Sequence, residues 1–337
     1  MTGRDVAVRR WGVTLPLDSV PLRKHHAIVE RLEELGYTDA WSSEASATDA
    51  FTPLALTAAW STALRLGTAI TPVYTRGPAL LAMSAAALAE AAPGRFVLGV
   101  GASTPIIVER WNATPFGEPY RRTRDTVRFL RRALAGERVD ERFESFVVRG
   151  FRLDRPPETA PPILVAALRP GMLRLGVREA DGVITNCLAS TDVPRVVAAL
   201  GSEGAGKEVV ARIFVCPTED SRHARRLGRR LLSTYLTVPV YADFHRWLGR
   251  GEVLEPMWQA WAAGDRKAAN AAIPDEVVDE LVLHGTPDQC RARVQRYVDN
   301  GITTPVLALL PAGDSGAGDA LAAAERALQT LAPPALA

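Results

Sequence analysis

Glu44 stands at the end of a short apolar stretch, in Trp41-Ser-Ser-Glu44-Ala-Ser46. A carboxylate so placed is able to act as a general acid, to accept a hydrogen bond from a cofactor ring, or to face solvent. Further along, Leu168-Arg169-Pro170-Gly171-Met172 opens a helix. Pro170 suits the first turn, and the amides beyond it have no acceptor within the helix, so the segment offers an anion site. Gly99-Val-Gly101-Ala102-Ser103 follows an apolar strand. Paired glycines there let a planar ligand come close to the backbone.

Other motifs exclude chemistry. The strand-end glycines lack the third glycine that dinucleotide binding needs. Gly201-Ser-Glu-Gly-Ala-Gly-Lys207 has P-loop spacing, but Glu208 replaces the hydroxyl residue and the segment precedes a strand instead of following one. The five histidines include no HExxH pair, so no metal site is expected. No GxSxG elbow supports a serine hydrolase. Cys187, Cys216 and Cys290 form no CxxC and leave one over, which argues against a disulfide framework and for a reducing cytoplasm.

The elements that must position these residues alternate. Apolar runs at Trp11 to Leu17, Thr38 to Ser42, Leu66 to Thr71, Phe96 to Gly101, Ile163 to Ala167, Gly182 to Asn186, Val209 to Cys216 and Pro305 to Leu310 read as strands. Helical periods follow each, the last at Asp319 to Leu331. Two stretches interrupt the pattern: an insertion at about 136 to 160, read as a hairpin or long loop, and one at 233 to 280, read as helical, carrying Trp247, Trp258 and Trp261. Eight such units predict a (β/α)8 barrel as a single domain over residues 1 to 337. Its functional residues belong at the carboxyl ends of the strands, at Pro16, Glu44, 71 to 76, 101 to 104, 167 to 172, Asn186, Pro217 and Pro311.

Composition agrees. Forty basic against thirty-eight acidic residues give a net charge of +2, too weak a field for nucleic acid as the main partner. No run of eighteen apolar residues predicts a membrane span, and Met1 to Gly12 has no apolar signal region, so a cytoplasmic location is expected.

Taken together, the segments Trp41-Ser-Ser-Glu44, Asp49-Ala-Phe-Thr-Pro-Leu54, Arg65 to Pro78 (RLGTAITPVYTRGP), Gly94-Arg-Phe-Val-Leu-Gly-Val-Gly101, Pro162 to Leu168, Ala180-Asp-Gly-Val-Ile-Thr-Asn186 and His284-Gly-Thr-Pro-Asp288 resemble the luciferase-like flavin and deazaflavin oxidoreductases, specifically their coenzyme F420-dependent branch. The resemblance implies an oxidoreductase on a (β/α)8 barrel with an insertion, often a homodimer, with F420 or alternatively FMN across the strand ends. It implies a cofactor phosphate on the loop after strand five and a cis peptide at Ala69 to Ile70. The cofactor-binding residues expected on these grounds are Ala69, Ile70, Thr71, Gly101, Ala102, Ser103, Ala167, Leu168, Arg169, Gly171, Met172 and Asn186.

The chain departs from the pattern of the family it resembles in four places. Glu44-Ala45 stands where many have Asp-His, Arg76-Gly77-Pro78 where they have Arg-His-Pro, Ser103 and Thr104 near a common acid, and Arg169 at a common glycine. Glu44 is thereby the expected catalytic residue, passing a proton while hydride moves between F420 and a small molecule. An FMN monooxygenase using molecular oxygen and a non-catalytic cofactor-binding protein are the rival readings. Trp247 and Trp258 are expected to line the substrate pocket.

Overall fold

The structure, a computed structural model, describes residues 10–18, 20–310 and 320–333. Its strands are β1 (Gly12–Thr14), β2 (Asp39–Ser42), β3 (Arg65–Thr68), β4 (Thr71–Pro72), β5 (Phe96–Gly101), β6 (Val139–Arg142), β7 (Val147–Phe151), β8 (Ile163–Ala166), β9 (Gly182–Asn186), β10 (Glu208–Cys216), β11 (Val282–His284) and β12 (Thr304–Leu309). Parallel pairing runs through β1, β2, β3, β5, β8, β9, β10 and β12, and β12 pairs back to β1. This is a closed (β/α)8 barrel, and each expected strand overlaps one of its eight staves.

The helices are α1 (His25–Glu34), α2 (Phe51–Trp60), α3 (Pro78–Ala91), α4 (Pro119–Leu134), α5 (Pro170–Glu179), α6 (Val193–Leu200), α7 (Ser221–Leu236), α8 (Pro239–Trp247), α9 (Gly251–Ala262), α10 (Arg266–Ala271), α11 (Asp275–Leu281), α12 (Pro287–Asp299) and α13 (Ala320–Thr330). Local chemistry starts several of them. Asp220 caps α7 by accepting from the His223 amide at 3.0 Å. Thr286 and Gln289 form a capping box on α12, with Pro287 in its first turn.

Two layers of apolar residues hold the barrel. One lies between strands and helices; the other, Trp41, Val97, Leu164, Ile184, Val210 and Val306, fills the interior. Trp41 is fully buried and occupies so much of that space that a Cβ on Gly67 would sit 2.3 Å from its ring. Glycine on β3 is therefore a packing requirement. Toward the amino ends of the strands, Arg65 Nη2 donates to both Glu208 oxygens at 2.7 Å and lies over the Trp41 ring. Ring and ion pair close that end, which leaves the other end for chemistry.

The insertion at 136 to 160 contains an antiparallel hairpin of β6 and β7. That at 233 to 280 takes the last turn of α7 and then α8 to α11, around a core that includes Leu232, Leu236, Leu254, Met257 and Ile273. The cis peptide implied at Ala69–Ile70 is present; it divides the third strand, so that β4 resumes beside β5. One detail differs from the sequence reading. The short β11 pairs with the end of β10, a three-residue strand too brief to show a period. Pro311 and Asp319 lie outside the described residues. Among the described residues, no helix is long and apolar enough to cross a membrane.

Candidate active site at the carboxyl ends of the strands

The interrupted third strand and the strand-end glycines form one cradle. The Ala69 amide donates to Ser42 O at 2.5 Å, and the Glu44 amide to Ile70 O at 3.2 Å. Ala69, Ile70 and Thr71 thus sit between the ends of β2 and β5. A Cβ on Gly99 would come within 1.9 Å of Thr68 O, and one on Gly101 within 2.7 Å of Ala166 Cβ. Only glycine permits this approach, after which the chain passes Ala102 and turns at Ser103 with φ of 63°. The Thr71 hydroxyl is buried here without a partner among the described residues.

Glu44 lies beside the cradle and makes every side-chain contact as an acceptor. Its Oε2 receives Arg76 Nε at 3.2 Å, Arg76 Nη2 at 3.1 Å and the Ala50 amide at 3.2 Å, while Oε1 receives the Thr75 hydroxyl at 3.1 Å. Arg76 also reaches Asp49 at 3.4 Å and lies over the Phe51 ring. Asp49 is held below the usual carboxylate range: burial pushes it up, but bonds from Thr52 and Phe51 and the Arg76 charge outweigh that.

After β8, Ala167 is buried and its amide donates to Ile184 O at 2.9 Å, while Leu168 and Met172 pack on the barrel core. Arg169 is the N-cap of α5 and supplies no side-chain cap. Its guanidinium instead pairs with Asp243 of α8 at 3.0 Å. Space above Gly171 is open, so the first-turn amides face an unobstructed surface.

Across the mouth, β9 brings up the expected Asn186, and β10 brings up Arg212, which the sequence reading did not single out. Asn186 Nδ2 donates to the Tyr241 hydroxyl at 3.3 Å, and Asn186 Oδ1 is buried without a partner. Arg212, register partner of Asn186, donates to the Tyr235 hydroxyl at 2.9 Å and to Thr14 Oγ1 at 3.4 Å. The available signal was a lone arginine within the apolar run Val209 to Cys216.

Cys187 sits 3.7 Å from His245 Nε2, both wholly buried. Burial drives the thiol up to about 12 and, with help from the Arg250 charge, drives the imidazole down to about 3. The pair is neutral and is no nucleophilic dyad. Trp247 stacks on Phe244 beneath Arg195 of α6, and Trp258 donates to Leu236 O at 2.8 Å beneath Arg246. These contacts bolt the insertion together; the rings that touch the mouth network are Tyr235 and Tyr241. Among the described residues, no cluster of His, Cys, Asp or Glu has the makings of a metal site.

A family model described as luciferase-like monooxygenase matches residues 8–304. The chain belongs to that family. Among its luciferase-like relatives, a Mycobacterium tuberculosis protein provisionally named a coenzyme F420-dependent oxidoreductase is 27% identical over 88% of this chain and 92% of its own length. A 5,10-methylenetetrahydromethanopterin reductase of Archaeoglobus fulgidus is 26% identical over 86% of this chain and 91% of its own. The solved coenzyme F420 dependent tetrahydromethanopterin reductase of Methanopyrus kandleri superposes with a TM-score of 0.76 at 20% identity, covering 96% of this chain and 97% of that one. At that identity the likeness carries the luciferase-like barrel fold.

Proposed function

We propose that this luciferase-like protein is a coenzyme F420-dependent oxidoreductase. The observation that carries the reading is the cradle of Ala69 to Thr71 and Gly99 to Ser103, where glycine is obligatory and a buried Thr71 hydroxyl lacks a partner. Relatives named for F420 and for 5,10-methylenetetrahydromethanopterin, matched along most of the chain, support it. The residues fit such a cofactor: Ala69, Ile70, Gly101, Ala102 and Ser103 admit a planar ring, the α5 N-terminus from Ala167 to Met172 takes a phosphate, and the unpartnered Asn186 Oδ1 accepts a bond.

When bound, F420 supplies a two-electron hydride carrier, with a C=C, C=N or carbonyl/alcohol compound as the other party. The chain's own work is orientation, exclusion of water and proton handling. Glu44, which only accepts bonds, is the group placed to take a proton. We assign the substrate side of the mouth to Tyr235 and Tyr241 ahead of Trp247 and Trp258, because the tyrosine hydroxyls join the strand-end network. The protein acts on a small molecule in the cytoplasm, and as a homodimer: α2 has no charged residue and α3 only Glu90, and Leu80 and Met83 are each 47% exposed on α3.

Titration of the purified protein with oxidised F420 and with FMN under identical conditions tests the reading. F420 binding with FMN far weaker is expected. Tight FMN binding and no F420 binding would overturn it in favour of an oxygen-using monooxygenase; F420 binding with no turnover on a broad panel would leave a cofactor-binding protein.

A further inference from the structure

Arg212 is a cation inside the barrel mouth with no carboxylate partner among the described residues. It follows Val210, whose side chain fills the barrel interior, by two residues on a strand and so points the same way. Its reach to Thr14 of β1, with β12 lying between β10 and β1, carries it across that interior. Three other arginines of the strand-end loops and the insertion have carboxylate partners: Arg76 in Glu44 and Asp49, Arg169 in Asp243, and Arg250 in Asp192 and Glu280. Arg212 has no carboxylate within 4.0 Å among the described residues. Thr14 and Tyr235 take two of its five N–H donors and leave three with no acceptor among the described residues. A half-buried guanidinium held by hydroxyls, with donors to spare, is built to receive an oxyanion.

Its surroundings narrow the ligand. Phe214 lies under the guanidinium at 5.1 Å, Tyr235 is 5.5 Å from Phe214, and Tyr241 meets Tyr235 edge-on at 5.1 Å. A charge at the floor and aromatic walls above it suit a carboxylate attached to a flat or apolar body. In the closed strand order β10 lies opposite β3, where the cradle is, and two staves from β8, where α5 offers its amides. An oxyanion on Arg212 therefore faces a ring held in the cradle from the far side.

We propose that Arg212, aimed by Tyr235, binds a carboxylate of the substrate, so that the enzyme acts on carboxylic acids. The proposal rests on the F420 reading for the word substrate, though not for the anion site.

The test begins with cofactor-free protein, titrated with cinnamate and 2-oxoglutarate and with their methyl esters, and followed by calorimetry and thermal shift. At least one acid should bind, its ester at least tenfold more weakly. Arg212→Gln should weaken the acid tenfold or more, Arg212→Lys less, and Tyr235→Phe, which removes only a hydroxyl, about threefold or more. Failure of both acids to bind, or affinity unchanged in folded Arg212→Gln and Arg212→Lys, would overturn the site.

Fluorescence titration with F420 separates the source of the carboxylate. Unchanged F420 affinity in Arg212→Gln is expected. Weakened binding of F420 but not of a form lacking the glutamate tail would move the carboxylate to the cofactor and overturn the substrate assignment. Arg212-dependent acid binding in a protein that ignores F420 altogether would sink the cofactor reading while leaving the anion site standing.

Discussion

The Glu44 carboxylate and the Arg76 guanidinium meet at 3.1 Å beside the interrupted third strand, both side chains less than one-fifth exposed. Residues 32 apart in sequence are joined there through two nitrogens of one fork, and the Thr75 hydroxyl and the Ala50 amide complete the carboxylate's contacts. That arrangement leaves two roles for Glu44, moving a proton itself or holding Arg76 in place, and they separate by experiment.

Glu44→Gln should lower kcat by about 10²-fold, the usual scale for a lost acid or base. Arg76→Gln, which leaves the carboxylate in place, should cost less than tenfold. Equal losses in the two variants and in the double variant would make Glu44 a positioning residue only.

The cofactor phosphate is expected on the α5 N-terminus. A phosphate-free deazaflavin should then bind about 1.5 to 3 kcal/mol more weakly than F420, the range for a lost bond to a charged group. Arg169→Ala should weaken F420 binding and reduce its salt dependence, since the half-exposed Arg169 can leave Asp243 for an anion. Equal affinity for both cofactor forms would place the phosphate elsewhere.

Substitutions in the insertion discriminate between lid and lining. Trp258→Ala should lower Tm by several degrees with KM unchanged, because the partly buried ring packs against the insertion core and its Nε1 donates to Leu236 O at 2.8 Å. Tyr241→Ala should raise KM. A raised KM in folded Trp247→Ala or Trp258→Ala, with Tyr241→Ala silent, would return the pocket to the tryptophans.

Acid should destabilise the fold through its buried histidines. His245 is held down to about 3, first by burial and then by Arg250, and His25 is lowered by burial, its Nε2 accepting the Leu17 amide at 2.9 Å. With both lowered, the unfolded chain binds more protons as pH falls below about 6.5. The stabilisation is fully present above that value and is lost toward pH 3 at about 1.4 kcal/mol per pH unit for His245 alone. Between pH 5 and 6.5, denaturant unfolding of His245→Gln should show a slope smaller by about that amount; an unchanged slope would mean that His245 protonates freely in the fold.

The exposed apolar face of α2 and α3 gives the oligomer prediction. Light scattering should find a dimer, and Leu80→Glu combined with Met83→Glu should halve its mass without loss of helix content. A monomeric parent, or a dimer indifferent to these charges, would remove the assignment.

Periodicity and local chemistry made the barrel legible in the sequence. Apolar runs at Phe96 to Gly101 and Gly182 to Asn186 coincide with β5 and β9, and α5 starts at Pro170 as read, because strand alternation and helix starts depend on neighbours in sequence. The glycines of β5 and the anion turn after β8 announced themselves for the same reason. The partners did not. That Glu44 would be taken by Arg76 depends on how the second and third strands pair, and that Trp258 would turn inward to Leu236 O and Tyr235 and Tyr241 would reach the strand ends depends on how the insertion folds back over the barrel. Arg212 shows the division most clearly: its sequence marks it as one cation in an apolar strand, but only closure of eight strands sets it opposite β3 with no carboxylate among the described residues to answer its charge, since that is fixed by long-range contacts and not by the residues on either side.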